Sequence, residues 1–186
     1  MKMTSSTLIA LAVSAGMLSA AANAITGTTS VSGTFTSTIE AGTCTAQIQN
    51  ASGNPISTLA FGDVYKSDLT AQSRSEPFKI AFSGCAGVKS ASVQTTKGTG
   101  GNCSGDAKDG DSFDAGNAAA FEVWKDTAGN GTLLSCKTTS TQNVTISSGT
   151  GKMDLAARIV IAKGKTISNV TTGNVTAPVT FVVTYQ

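Results

Sequence analysis

The chain has 186 residues, a formal charge of +2, 13% charged and 5% aromatic residues, and no histidine. That length suits one ordinary domain, its apolar content is too high and its charge too low for a disordered chain, and without a Lys/Arg cluster there is no nucleic-acid footprint. Lack of histidine removes the commonest general base and every mixed Cys/His zinc set, so no catalytic residue, metal ligand or cofactor is expected.

The chain opens on a basic stretch, Met1-Lys2-Met3, followed by a mostly apolar run from Leu8 to Ala21 and then by Ala22-Asn23-Ala24. This is the layout of a secretory signal peptide with its small-residue cleavage site. The apolar run is too short for a hydrocarbon core of about 30 Å. Residues 1–24 are therefore expected to be removed, leaving a mature chain that starts at Ile25.

Ile25 to Ile39 is the most strictly periodic segment. Its odd positions are Ile25, Gly27, Thr29, Val31, Gly33, Phe35, Ser37 and Ile39, and its even positions are all Thr or Ser. Every strongly apolar side chain lies on one face, which is the pattern of a strand buried on one side. An ordinary first strand of a sandwich would read the same way.

Short strand candidates follow at regular spacing. They are Cys44–Gln49, Leu59–Phe61 before the Gly62-Asp63 turn, Phe78–Cys85 with Phe78, Ile80 and Phe82 on one face, and Val88–Gln94. Residues 97–117 read as a loop rich in Gly, Asp and Ser. Ala119–Trp124 and Thr132–Cys136 read as a hairpin around Thr127–Gly131, and Gln142–Ser147, Met153–Ala162 and Val175–Tyr185 complete the set. No segment beyond the leader has a helical period, and no repeat or linker divides the mature chain. Short strands separated by polar turns predict an all-β sandwich.

The four cysteines are Cys44, Cys85, Cys103 and Cys136. An even count behind a signal peptide reads as two disulfides, and the long spacings argue against a metal site. Three pairings are possible, of which 44–85 with 103–136 is favoured.

The last strand carries Val175, Ala177, Val179, Phe181, Val183 and Tyr185 on one face, with Tyr185 penultimate and Gly173 fourteenth from the end. On these residues the chain resembles the fimbrial (pilin) subunits of the chaperone–usher pathway, of the type 1 and P-pilus kind. Their terminal signature is a glycine at that distance, alternating apolar residues and a penultimate tyrosine. A disulfide early in the domain also belongs to the family, and Cys44 with Cys85 fits it. Phe78–Cys85 resembles the strand that enters the second family cysteine, and Ile25–Ile39 the family's donor strand. Two departures stand out. The family's glycine lies closer to the first cysteine than Gly33 does to Cys44. Cys103 and Cys136 are outside the common pattern and read as a staple from the long loop to the second strand of the 119–136 hairpin.

The resemblance implies an incomplete immunoglobulin-like β-sandwich lacking its last strand, with a donor-strand extension at 25–39 and a pilin domain at 40–186. Ile25, Val31, Gly33, Phe35 and Ile39 would enter a neighbouring subunit's groove. Gly173, Val175, Val179, Phe181, Val183 and Tyr185 would border the chain's own groove. Partners would be other pilin subunits in a head-to-tail polymer, a periplasmic chaperone holding the carboxylate after Gln186, and an outer-membrane usher. The chain would pass through the periplasm to a surface fimbrium supporting adhesion, at a position inside the fibre rather than at its tip. A single-domain fimbrial adhesin or carbohydrate-binding module is the alternative, and a complete secreted sandwich, enzyme or inhibitor, is a third.

Other features read as structural. Asp106, Asp109, Asp111 and Asp114 lack the terminal Glu of a calcium loop, so they read as a solvated acidic loop. Gly98–Gly101 lacks the Gly-Lys-Ser/Thr of a phosphate loop. Trp124, inside a strand, reads as sheet packing rather than as a sugar platform.

Overall fold

The computed structural model describes residues 32, 34–37 and 42–186. The chain divides into two units, Met1–Thr38 and Ile39–Gln186. The leader and Ile25, Val31, Gly33 and Ile39 of the periodic extension lie outside the described residues. Phe35 lies within them, in coil, with its side chain exposed.

Among its described residues the second unit contains nine strands: β1 (Thr43–Asn50), β2 (Ser75–Ala86), β3 (Ser90–Lys97), β4 (Phe113–Gly116), β5 (Ala119–Lys125), β6 (Thr132–Leu133), β7 (Thr141–Thr145), β8 (Gly151–Ile161) and β9 (Val179–Tyr185). One sheet has the order β1-β2-β8-β5-β4, with β6 also paired to β5, and the other has the order β7-β3-β9. All pairings are antiparallel. Alternation shapes the long strands, and β8 also buries Ala156 and Val160 on its other face. Phe78, Ile80 and Phe82 of β2 and Met153, Leu155, Ala157 and Ile159 of β8 turn one buried face inward. Ala91, Val93 and Thr95 of β3 do the same from the facing sheet.

The two sheets meet through side chains. Phe78 of β2 lies 6.0 Å from Phe181 of β9, ring centroid to centroid, and Phe82 lies edge-on to Tyr185 at 6.5 Å. Such tilted aromatic pairs add to what burial alone contributes. Pro77 sits just past the reach of β1, whose register on β2 ends at Asn50↔Phe78. A residue without an N–H is tolerated where a strand has lost one neighbour.

The strand expectations need five corrections. A six-residue helix α1 (Lys66–Ala71) and a single 3-10 turn (Ile167–Asn169) occur where no helical period was read. Elements of one or two turns are too short to show a period. The helix is set instead by Asp68, whose carboxylate accepts the Tyr65 N–H at 2.9 Å, and by burial of Leu69. β4 lies inside the expected 97–117 loop. Leu59–Phe61 is irregular. Residues 175–178 are extended but outside the ladder, with Pro178 just before β9. β6 is only two residues long, so Cys136 lies in the coil beyond the hairpin rather than on its second strand.

Candidate functional site

Among the described residues β9 pairs only with β3, and β1 pairs with β2 and, at its end only, with the turn that follows it, through the Gln49↔Pro55 bridge and the Ile56 N–H donating to Ile48 O at 2.9 Å. Among the described residues no strand occupies the second edge of either. β1 and β9 run past each other on the same side of the sandwich, so both free edges border one opening. Alternate N–H and C=O groups of an edge strand point outward with no ladder partner.

The opening is an apolar groove of 1310 Å³. Its floor is Ile48 of β1, Phe78 of β2, Phe121 and Val123 of β5, and Ala157 and Ile159 of β8. One wall is the irregular segment 56–66, which contributes Leu59 and Phe61; Phe61 stacks on Phe121 at 5.0 Å. The other wall is the lip, residues 170–178, continuing into β9. Leu69 and Val170 close the far end. A second cavity of 340 Å³ continues the slot between Ala46–Ile48 and Val179–Val183. Among the described residues, Asp63 and Lys66 are the only charged ones along the larger cavity.

Backbone groups on the first wall are free as well. Among the described residues, none of the backbone N–H groups from Ser57 to Val64 donates to a main-chain acceptor. The groove therefore combines apolar side chains with unpaired main chain on both sides. Buried amides left in that state cost about 1–3 kcal/mol each.

Of the terminal residues singled out in the sequence, Gly173, Val175, Val179 and Phe181 line this groove and Val183 lines the smaller cavity, whereas Tyr185 lines neither. Val179, Phe181, Val183 and Tyr185 are half-buried and pack onto the main core, while the even residues of β9 are exposed. Val175 packs with Leu69, Ile159 and Val170 at the far end. Gly173 has φ +141, a region favouring glycine, and an added Cβ would stand 3.0 Å from Asn117 Nδ2.

Cys44 is bonded to Cys85, joining the start of β1 to the end of β2, and Cys103 is bonded to Cys136. The four loop carboxylates turn to different partners. Asp106 meets Lys165 at 2.7 Å and Asp109 meets Lys163 at 2.8 Å. Asp111 accepts from Ser135 Oγ at 2.6 Å, and Asp114 accepts from the Gly116 N–H. The hydrogen bond from Lys163 holds the Asp109 carboxyl below its ordinary pKa, against the opposing effect of desolvation. Trp124 lies on the outer sheet face. Its indole N–H donates to Glu122 Oε2 at 2.9 Å, and the Arg158 guanidinium, itself paired to Glu122 at 2.7 Å, sits 5.3 Å from the ring centroid.

Sequence reading missed the floor of the groove, because Ala157, Val123 and Ile48 look like any other core residues. It also missed the use of Gly98 and Gly101. A Cβ on either would come within 2.9 or 3.0 Å of Pro178, so these glycines let the lip pack closely.

Comparison with known proteins gives a consistent picture. Residues 33–186 match a family model described as fimbrial protein. The uncharacterized fimbrial-like protein YadL of Escherichia coli (strain K12) is 40% identical over 174 residues, covering 86% of each chain. A solved structure of a chaperone–usher pilus shares the fold, with a TM-score of 0.51 at 22% identity over 87% of this chain and 97% of that one. The P pilus rod subunit PapA aligns with a TM-score of 0.49 at 19% identity, over 76% of this chain and 99% of that one.

Proposed function

Because the chain belongs to the fimbrial protein family, we propose that it is a structural subunit of an adhesive pilus, and that its groove is completed by an N-terminal strand from a neighbouring subunit. The observation that carries this reading is that two edge strands, β1 and β9, open onto one largely apolar slot whose part between the two strands carries no charged residue. A strand laid there gains main-chain hydrogen bonds along its length, and its alternate side chains fill the floor, as in β-strand addition.

The chain's own extension has matching chemistry. Ile25–Ile39 is uncharged and puts its apolar residues on one face. It has 15 residues, as does the bordering stretch Thr171–Tyr185, and each would span about 50 Å when extended. Val31, Phe35 and Ile39 are the main anchors, each worth roughly 1.5–3 kcal/mol on full burial. Gly33 allows close approach of the backbone, and Ile25 ends the apolar face. The hydroxylated face keeps the free extension soluble.

Donating at one end and accepting at the other makes the contact head-to-tail, which builds open filaments rather than rings. In this scheme residues 1–24 are the cleaved leader, 25–39 the donor strand and 40–186 the pilin domain. A periplasmic chaperone covers the groove until an outer-membrane usher exchanges its strand for that of the next subunit. The protein is non-catalytic and ends in a surface fimbrium. Trp124, with its N–H engaged by Glu122, lends no support to a sugar-binding alternative.

Deletion of residues 25–39 from the mature protein tests the reading. Co-expressed with its chaperone, the truncated subunit is expected to form a soluble binary complex, because its groove is intact. It should fail to extend a fibre by donation. Normal polymers from the truncated subunit would rule out the donor role.

A further inference from the structure

The lip of the groove lies outside the β3–β9 ladder, yet it is held in four places by one loop. Gly98 N–H donates to Pro178 O at 2.9 Å, Thr176 N–H to Ala115 O at 3.1 Å and Thr171 N–H to Asn117 O at 3.3 Å, while Asn117 Nδ2 donates to Asn174 O at 3.3 Å. All four attachment points belong to residues 98–117. These hydrogen bonds tie the groove wall to that loop, beside the packing of Val175 and Ala177 on the core.

The loop is in turn fastened around Cys103. Cys103 forms a bridge with Phe113, Asp114 N–H donates to Asn102 O at 2.9 Å, and Ser104 N–H donates to Ser112 O at 2.8 Å. The Ser104 and Ser112 hydroxyls, both buried, meet at 2.7 Å. The disulfide ties Cys103 to Cys136, whose N–H donates to Asp111 O at 2.7 Å. Pairing with β5 is the competing anchor for β4. That ladder shifts register between Asp114 and Gly116, at Ala115, the residue that receives Thr176.

We propose that the Cys103–Cys136 disulfide is a positioning element of the groove: it fixes loop 98–117, through it the lip Thr171–Pro178, and thereby sets how long an inserted strand stays bound. The second half of this statement rests on the strand-accepting function proposed above, and the first half does not. A disulfide confined to loop repair would leave the groove wall indifferent to its removal. Loosening the wall should act on release more than on encounter, since affinity differences at one interface fall mostly on the dissociation rate.

Two variants of the full chain, exported to an oxidising compartment, test this. Cys103→Ala/Cys136→Ala removes the bond. Asn117→Gly keeps the disulfide and the left-handed backbone at φ 53 but removes the side-chain attachment to Asn174, so it tests the attachment of the lip to the loop, and Cys103→Ser/Cys136→Ser replaces the first variant if that one fails to fold. Amide hydrogen exchange at Thr171 and Thr176 is expected to speed up about tenfold in the double variant, with the β2–β8 ladder unchanged. Asn117→Gly should speed exchange at Thr171 in the same direction. A synthetic peptide with the Ile25–Ile39 sequence should leave both variants about tenfold faster than wild type. Unchanged exchange at Thr171 and Thr176 in the disulfide-free variant would overturn the link from disulfide to lip. A loosened lip with unchanged peptide release would overturn its role in strand retention. If wild type takes up no peptide, the strand-accepting function fails instead, and amide exchange still decides the link.

Discussion

Ala157→Phe separates an open groove from a closed core. Ala157 lies on β8, 7% exposed, with Val123 and Glu76 beside it in the ladder, and it forms part of the groove floor. In a closed sandwich the larger ring would overpack and destabilise the fold by about 1–3 kcal/mol. Here it can turn into the 1310 Å³ slot, where burial offsets the cost. The thermal midpoint of the subunit should therefore stay near that of wild type. The ring would take the place of one incoming anchor, forfeiting roughly 1.5–3 kcal/mol of strand binding, or about tenfold to a hundredfold in affinity. Paired thermal melts and titrations with an Ile25–Ile39 peptide measure both quantities. A strong drop in midpoint with unchanged peptide affinity would mean that Ala157 faces a filled core and that the groove argument is wrong.

Three further outcomes are expected. Phe35→Asp in the extension should block or strongly slow fibre growth, because an unpaired carboxylate would enter an apolar groove; fibre yield in electron micrographs gives the answer. Glu122→Ala strips Arg158 and the Trp124 indole of their shared acceptor and should cost about 2 kcal/mol of stability in a denaturant titration, leaving peptide uptake unaltered on the opposite face of the sheet. Asp109 has a folded pKa below its unfolded one, so its contribution is present above the unfolded value and is lost as pH falls through the lower folded value. Lys163→Met should remove that acid-side dependence, seen as a flatter stability profile below about pH 4.

Much of the architecture was legible because strands write their faces into the sequence at period two. Phe78, Ile80 and Phe82 announce β2, and Val179 to Tyr185 announce β9 with the residues that border the groove. Helix α1 was hidden by its length and by being stabilised through Asp68 and Leu69 rather than through a stripe. β4 was hidden by its composition, since Phe113-Asp-Ala-Gly116 has only one large apolar residue and is held by neighbours distant in sequence. The groove floor could not be read at all. Ala157 and Val123 have ordinary core side chains, and only the missing neighbour of β1 and β9 turns that part of the core outward. Gly98 and Gly101 did leave a signal, a glycine-rich loop without phosphate-loop chemistry, but its meaning depends on Pro178, far along the chain.

The Cys44–Cys85 bond also has a mechanical consequence. Chain preceding β1 enters the sheet at Gly42-Thr43 and reaches Cys44 one residue later. Tension applied there need not be carried by the hydrogen bonds of β1. It passes through a covalent bond into Cys85 at the end of β2, which is flanked by both β1 and β8 from Phe78 to Phe82. An edge strand pulled from one end would otherwise unzip one ladder bond at a time. Anchored near its start to a twelve-residue interior strand, β1 cannot be peeled from that end without drawing on β2 as well.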